Sequence, residues 1–479
     1  MIRIFINTIF LLTIVIVGCK KSSDVLQGQS GNGATKTPPT VSTNNIQNLT
    51  LNSVYLGGKL ISDGTATVIE QGVIISTSPT PTISNTPDKF PMQKDGANNF
   101  SKKIRGHLPN TTFYVRAYAI SADGVGYGNE VIYTSPVEKR WPGQKILSTQ
   151  QEVIDFGQLG YNRIQWLIIT GTVTDLSPLK DIVIIESEID IYGGNNLTNL
   201  HGLHNIERVG DLKFRYNSNL VDLTGLDNLE LSSGDIQIVN NTALTSLNGL
   251  NNLLFVGYTG LGSLWIQNCP NIQNLHGLEN LSFITADLNF RSNNNLSDLT
   301  AFQKLVTIYG NINIWDNSSL TTLNGMEKIT FASDVSILNN PLLSNISSLN
   351  NLDSLDMAYG AEIAIVGNPK LQSLSCFNKL KTINSVSITD NMQLQSLQAF
   401  NNLSRITTSF FAQNNPSLTN ISGLEKLRNV QTITFNQNTS FANFCPLKPL
   451  FFSMLSNPSF IATGNAQNPT VATILTTCP

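Results

Sequence analysis

Apolar residues return at a nearly fixed interval through more than half of this chain. One such position runs Leu197, Leu220, Leu244, Ile272, Leu296, Leu320, Leu343, Leu371, Leu394, Leu418 and Phe441, in steps of 23, 24, 28, 24, 24, 23, 28, 23, 24 and 23 residues. An earlier unit at Leu176 lies 21 residues before Leu197, which makes twelve units. Each unit opens with a short alternating run that carries two inward apolar residues, such as Leu264 and Ile266, or Val386 and Ile388. An Asn turn follows, at Asn217, Asn241, Asn268, Asn293, Asn317, Asn339, Asn368, Asn391, Asn414 or Asn438. Apolar residues then recur at steps of about three, as in Leu220, Leu223, Leu226 and Leu229, and a Gly often closes the unit, as at Gly210, Gly234 and Gly310.

Alternation with period two predicts strands with one face in a core and one in solvent. Strands one unit apart must be parallel. A single coil cannot bury its apolar side, so the core is built by stacking neighbours. The pattern predicts a mainly β protein whose segment 161–455 is a leucine-rich β-solenoid, a rod of roughly 55 Å for twelve coils at the spacing of adjacent strands. Asn side chains bond to nearby backbone and tolerate turn geometry, so the Asn positions read as structural. The two 28-residue steps mark insertions, near Gly257–Gly262 and Met357–Glu362, that either line a binding surface or are neutral loops.

The pattern differs on both sides of the repeats. Between 41 and 137, short β-rich runs such as Val54–Leu56, Gly72–Ser76 and Phe113–Ala119 are punctuated by Asp63-Gly64, Asp95-Gly96 and Asp123-Gly124, which predicts a β-sandwich. In Phe113–Ala119 the odd positions face the core and Tyr114, Arg116 and Tyr118 the other side. Residues 138–160 read as a linker with an N-terminal capping helix, opened by a capping box of Thr149 and Glu152. Residues 456–479 read as a C-terminal cap. Cys445 and Cys478 flank this poorly repetitive tail and are expected to form a disulfide, which an exported chain permits. Cys269 and Cys376 fall at different points of non-adjacent coils and are expected to be buried free thiols.

Export is read from the first nineteen residues. Arg3, the apolar Ile4–Val17 and Gly18-Cys19 form a signal peptide, too short for the about 20 apolar residues of a membrane span. The ending Ile16-Val17-Gly18-Cys19 resembles a bacterial lipobox, which implies lipidation of Cys19 and a membrane partnership through that lipid. Residues 20–40, rich in Ser, Gly, Thr and Pro, form a flexible tether. The start resembles lipoproteins of the Bacteroidetes group, which implies a bacterial cell envelope, outer-membrane location. Because Lys20-Lys21 precede a single acid, Asp24, inner and outer faces both stay open.

Two further resemblances carry fold expectations. Leu108-Pro109-Asn110-Thr111-Thr112-Phe113 resembles the start of a late strand in fibronectin type III domains, with Asn110 in place of Gly and Phe113 in place of the corner Tyr. The phrase Asn-x-x-Leu-x-x-Leu-x-Gly-Leu at Asn241–Leu250, and with Met at Asn317–Met326, resembles leucine-rich repeats, above all the receptor L domains. That likeness implies a right-handed parallel β-helix that binds partners on its outside, as one solenoid or two fused units. A horseshoe with a short helix per repeat is the alternative.

Composition narrows the chemistry. The 479 residues include only 13% charged ones, and the net charge of −3 argues against a nucleic-acid partner bound by phosphate neutralisation. Asn and Leu each supply about one residue in eight. Four His and five Cys leave little material for metal or redox chemistry, and His201 and His204 lack acid or Cys companions at ligand spacing. No P-loop, nucleophile elbow or zinc helix is present, so no cofactor and no catalytic residue is assigned and the chain reads as a non-enzyme. The outward strand positions, mostly uncharged or basic, instead propose a binding face of Tyr192, Lys213, Arg215, Trp265, Gln267, Arg291 and Trp315. Exposed Trp, Tyr and Arg dominate interface energetics, and aromatics also stack on sugar rings. Three functions remain: recognition of a protein or glycan, an envelope scaffold or spacer, and a glycan-active enzyme on a β-helix. A flat Trp and Arg face favours the first, a smooth polar face the second, and carboxylates clustered in a groove the third.

Overall fold

The computed structural model describes residues 35–86, 88–193, 196–453 and 458–479. The leader with Cys19 and most of the tether lie outside the described residues.

The first unit has seven strands: β1 (Thr40–Thr43), β2 (Ser53–Ser62), β3 (Glu70–Ser76), β4 (Lys89–Pro91), β5 (Asn99–Arg105), β6 (Thr112–Ser121) and β7 (Gly124–Thr134). They form two antiparallel sheets, ordered β1-β2-β5 and β4-β3-β6-β7. Val54, Leu56 and Phe100 of one sheet and Val73, Val115 and Ala117 of the other share one apolar core. Tyr118 corrects the alternation read for β6. It lies on the expected outer side but is fully buried, because its hydroxyl donates to Glu70 at 2.7 Å and Lys89 covers its ring. Phe113 stacks on Tyr133 with ring centroids 5.2 Å apart.

The second unit is a parallel β-solenoid of about 13 turns. Its long strands pair without interruption from Arg140–Leu147 to Ser459–Thr463, so it is one continuous stack rather than two units. The stack outruns the expected window of 161–455 at both ends. Arg140–Leu147 pairs with Arg163–Ile169, so 138–160 supplies a coil as well as a cap. Ser459–Thr463 pairs with Thr432–Asn436 before the true cap begins. Neither end coil carries the full Asn-and-Leu phrase, which is why the repeat hid them. Helix α1 (Gln150–Gly157) starts at Thr149 with both halves of the capping box formed. At the far end α2 (Lys448–Phe452) and α3 (Val471–Thr477) are joined by the Cys445–Cys478 disulfide, with Cα atoms 5.3 Å apart. The coils between these caps contain strands and 3₁₀ turns, not a helix per repeat.

A ladder of buried Asn side chains runs down one corner of the stack. The Asn293 backbone N–H donates to Asn317 Oδ1 of the following coil at 3.1 Å. Asn317 does the same to Asn340 at 3.0 Å, Asn340 to Asn368 at 3.1 Å, and so on through Asn391, Asn415, Asn438 and Asn465. Each amide nitrogen returns to a main-chain carbonyl one coil back, as Asn317 Nδ2 does to Phe290 O at 3.2 Å. The residue before each ladder position has positive φ, at Asn240, Asn268, Asp316, Asn339, Asp390 and Asn414 among others. Three Asn assigned from sequence are therefore one residue off: Asn268, Asn339 and Asn414 make the left-handed turn, and Cys269, Asn340 and Asn415 fill the ladder. At Cys269 the backbone N–H still donates to Asn293 Oδ1 at 3.1 Å, but the Asn241 N–H finds a sulfur where the other coils supply an amide oxygen. The Gly of the repeat phrase has a different cause. At Gly249, φ is 109° and a Cβ would lie 1.9 Å from Leu223 O of the preceding coil.

The two units are clasped through charge. Glu207 and Glu230, at equivalent places in consecutive coils, are buried against the first unit. Lys103 bridges them at 3.3 and 2.9 Å, and Arg105 pairs with Glu230. Ser53, Thr50 and Asn52 donate to Glu207 at 2.5, 3.0 and 3.1 Å. Removing one partner of a buried pair strands the other charge, so Lys103→Met should lower stability by about 3–5 kcal/mol and expose the junction to limited proteolysis. Asn317→Ala leaves the Asn293 N–H and the Phe290 carbonyl short of a partner, and should cost roughly 2–6 kcal/mol at about 1–3 per unsatisfied group. Cys269→Asn restores the relay and should raise the urea midpoint. An Asn317→Ala midpoint equal to wild type would refute the ladder's role.

Candidate functional site

Alternation along the long strands places three outward columns on one sheet. The central column runs through Asp190, Lys213, Gln237, Trp265, Asn289, Asn313 and Ser336. The second runs through Tyr192, Arg215, Val239, Gln267, Arg291, Trp315 and Leu338. The third, at the entrance of each strand, contains Glu188, Asp211, Asp235, Ser263, Asp287, Asn311, Asp334 and Glu362.

All seven residues proposed from sequence lie on this sheet, but they form two groups. Tyr192, Lys213 and Arg215 belong to the early coils, where the positive charge is already spent. Lys213 contacts Glu188 at 2.7 Å and Asp211 at 3.2 Å. Arg215 pairs with buried Asp190 and lies over the Tyr192 ring, 5.7 Å from its centroid. The reading that outward positions are mostly uncharged or basic fails here, because Glu188 and Asp190 share the face with the cations they hold.

Trp265, Gln267, Arg291 and Trp315 are brought together as the rim of a shallow groove, completed by Asn289, Phe290 and Asn313, of about 270 Å³ including its open mouth. The two indoles stand on a diagonal, two coils and one column apart, with roughly 10 Å between their strands. Trp315 is pinned by its Nε1 donating to Ser336 Oγ at 2.9 Å, and Arg291 lies over the Trp315 ring at 5.7 Å. Arg291 is only loosely tied, with Asp316 at 3.7 Å. On the floor Asn313 Nδ2 donates to Asn289 Oδ1 at 2.7 Å. Asn289 would pass its own amide hydrogens to the next coil of the same column, but that position is Trp265, which offers no acceptor. Its Nδ2 is consequently buried without a partner, and the residue is 6% exposed.

Asn289 and Asn313 were not singled out from sequence, because the Asn excess had been assigned to turns. Their signal was present: each occupies the same strand position as Trp265, one and two repeats on. The insertions also matter by position. Gly257–Gly262 leads into the strand of Trp265, and Met357–Gly360 into Glu362–Val366, so both flank the same edge of this sheet.

The acids of the entrance column have a structural duty. Asp211, Asp235, Asp287 and Asp334 each accept the backbone N–H one coil on, at 2.9, 2.8, 2.8 and 2.7 Å. Burial holds the Asp334 carboxyl above its ordinary range, reinforced by the charges of Asp287 and Asp356. Among the described residues there is no group of three or more His, Cys, Asp or Glu placed to hold a metal. No helix of the described residues is long and apolar enough to cross a membrane.

No family model and no curated protein matches the chain. Among solved structures, a family 28 exopolygalacturonase of Yersinia enterocolitica aligns over 90% of this chain and 98% of its own, at 12% identity and a TM-score of 0.19. At those values the likeness assigns neither fold nor activity.

Cys269 and Cys376 are buried free thiols in the stack, and burial pushes the Cys269 thiol up to about 11. Neither should react with iodoacetamide at neutral pH until urea unfolds the chain, whereupon mass spectrometry should count both. Modification of either in the folded protein would contradict the packing described.

Proposed function

We propose that this chain is a lipid-anchored protein of the bacterial cell envelope that recognises a glycan without cleaving it, through the outward sheet of its solenoid. The observation that carries this reading is the groove of Trp265 and Trp315 over Asn289 and Asn313. Two indole faces present apolar, polarisable surface of the kind that covers the hydrogen-bearing face of a pyranose. Planar amides and a guanidinium between them supply directional donors for hydroxyl groups. The buried, unpartnered Asn289 amide supports a ligand acceptor in particular, since a buried donor left unmade costs about 1–3 kcal/mol that a bound oxygen can recover. The alternative protein partner would call for a broader and flatter apolar face.

The remaining parts fit a presenting role. Lipidation at Cys19 and the tether 20–40, both proposals from the sequence, would hold the folded units off an outer membrane. The first unit, proposed as a fibronectin type III-like spacer, would set the solenoid's attitude through the Lys103 clasp. The solenoid itself is proposed to be a right-handed relative of the receptor L domains.

A second reading, glycan cleavage, is favoured by one observation: Asp287 and Asp334 stand beside the groove, and the Asp334 carboxyl holds its proton more tightly than usual. Their service as backbone acceptors explains both acids without catalysis, so the non-catalytic reading is preferred. The test uses a glycan array with the full-length chain. Trp265→Ala and Trp315→Ala should each weaken binding at least about tenfold, as loss of a central aromatic anchor does, while the melting temperature stays within a few degrees. Unchanged binding by both folded variants would sink the proposal. Release of new reducing ends from a bound polysaccharide, abolished in Asp334→Asn, would favour cleavage.

A further inference from the structure

The proposed groove carries an unusual charge distribution, and it narrows the class of glycan. Across the five strand segments 263–267, 287–291, 311–315, 334–338 and 362–366, Arg291 is the one cation among the described residues. Against it on the same segments stand Asp287, Asp334 and Glu362, with Asp316 next to the third segment and Asp356 close enough to act on Asp334. The early coils differ: there Glu188, Asp190 and Asp211 are set against Lys213 and Arg215, and the pairs are closed. Around the groove the acids have no such partners. Asp287 and Asp334 engage backbone N–H groups, and Asp316 approaches Arg291 no closer than 3.7 Å.

Resting on the reading of the groove as a glycan site, we infer that it selects neutral saccharides and rejects uronate-bearing or sulfated ones. A carboxylate or sulfate seated between Trp265 and Trp315 would meet one loosely held guanidinium and a row of carboxylates within a Debye length, about 8–10 Å at ordinary ionic strength. Like-charge juxtaposition of this kind is a device for excluding wrong partners. A neutral ring meets no such penalty, and its hydroxyl oxygens accept from Arg291 and from the Asn289 amide. Arg291 on this account donates to hydroxyl groups from its place over the Trp315 ring and is not an anion receptor. Burial is the main reason the Asp334 carboxyl holds its proton, and the charges of Asp287 and Asp356 add to it.

The acids can be neutralised without disturbing the fold, because Asn keeps the Oδ1 acceptor that the next coil needs. Asn311 already occupies the same column between them. The experiment is affinity electrophoresis of the full-length chain through gels containing a neutral mannan, a neutral β-glucan, polygalacturonate or heparin. Wild type should be retarded by a neutral gel and not by the anionic ones, and Trp265→Ala/Trp315→Ala should abolish the retardation. Asp287→Asn/Asp334→Asn should gain at least about threefold in affinity for the anionic gels, and raising the salt should narrow the gap between variant and wild type. A purely steric exclusion would respond to neither change. Wild-type retardation by an anionic gel, lost in the double Trp variant, would overturn the charge selection while leaving the groove as a glycan site. Absence of retardation in all four gels would overturn the glycan reading itself and the inference with it.

Discussion

A parallel stack buries main-chain amides at every turn, and each must find an acceptor or the coil cannot close. The Asn ladder meets this demand by making each coil complete its neighbour: Asn317 supplies the oxygen that Asn293 needs and takes its own from Asn340. Burial of Leu and Ile provides the bulk of the driving force, but it is indifferent to register. The ladder is not, since an Asn one residue out of place points into the left-handed turn instead. Where the relay runs, from Asn293 to Asn465, it ties each coil to the next in one register.

Because the inner face, one corner and the entrance column satisfy the fold, the other two outward columns are left free to vary. They do so coil by coil: closed ion pairs at Glu188, Asp190, Lys213 and Arg215, then a groove of indoles and amides, then small residues such as Ser336 and Ala364. The same rule that satisfies the interior also generates the orphan on the surface. An amide column works only while every member is polar, and Trp265 interrupts it. The defect at Asn289 is thus the direct consequence of placing an aromatic where the pattern called for an acceptor, which is the kind of local cost that recognition sites carry.

Much of this was legible in the sequence. The repeat interval gave the solenoid, its inward residues and the capping box at Thr149, because periodic burial leaves a periodic trace. The tail cysteines were legible as a pair, and the structure joins them. The end coils were not, since Arg140–Leu147 and Ser459–Thr463 pair by backbone and lack the phrase that marks the others. The slip at Asn268, Asn339 and Asn414 arose because adjacent polar residues are equivalent in a pattern but opposite in φ. Tyr118 was misplaced because alternation reports which side a residue faces, not whether another group covers that side. Of the binding face, the aromatic and basic residues were visible and their grouping was not, because two of the acids that neutralise Lys213 and Arg215, Glu188 and Asp190, come from the preceding coil 25 residues away.

The clasp at Glu207 and Glu230 has a mechanical side. Tension arriving from the N-terminal end of the chain would reach the solenoid by two routes, the covalent link at about residue 138 and the buried charges several turns further along. The second route passes the terminal strand by, whereas the first would peel Arg140–Leu147 from the end of the stack. Sharing the load between them shields the terminal turn from peeling. A rod that can fray only from its ends is thereby protected at the end where a pull would act.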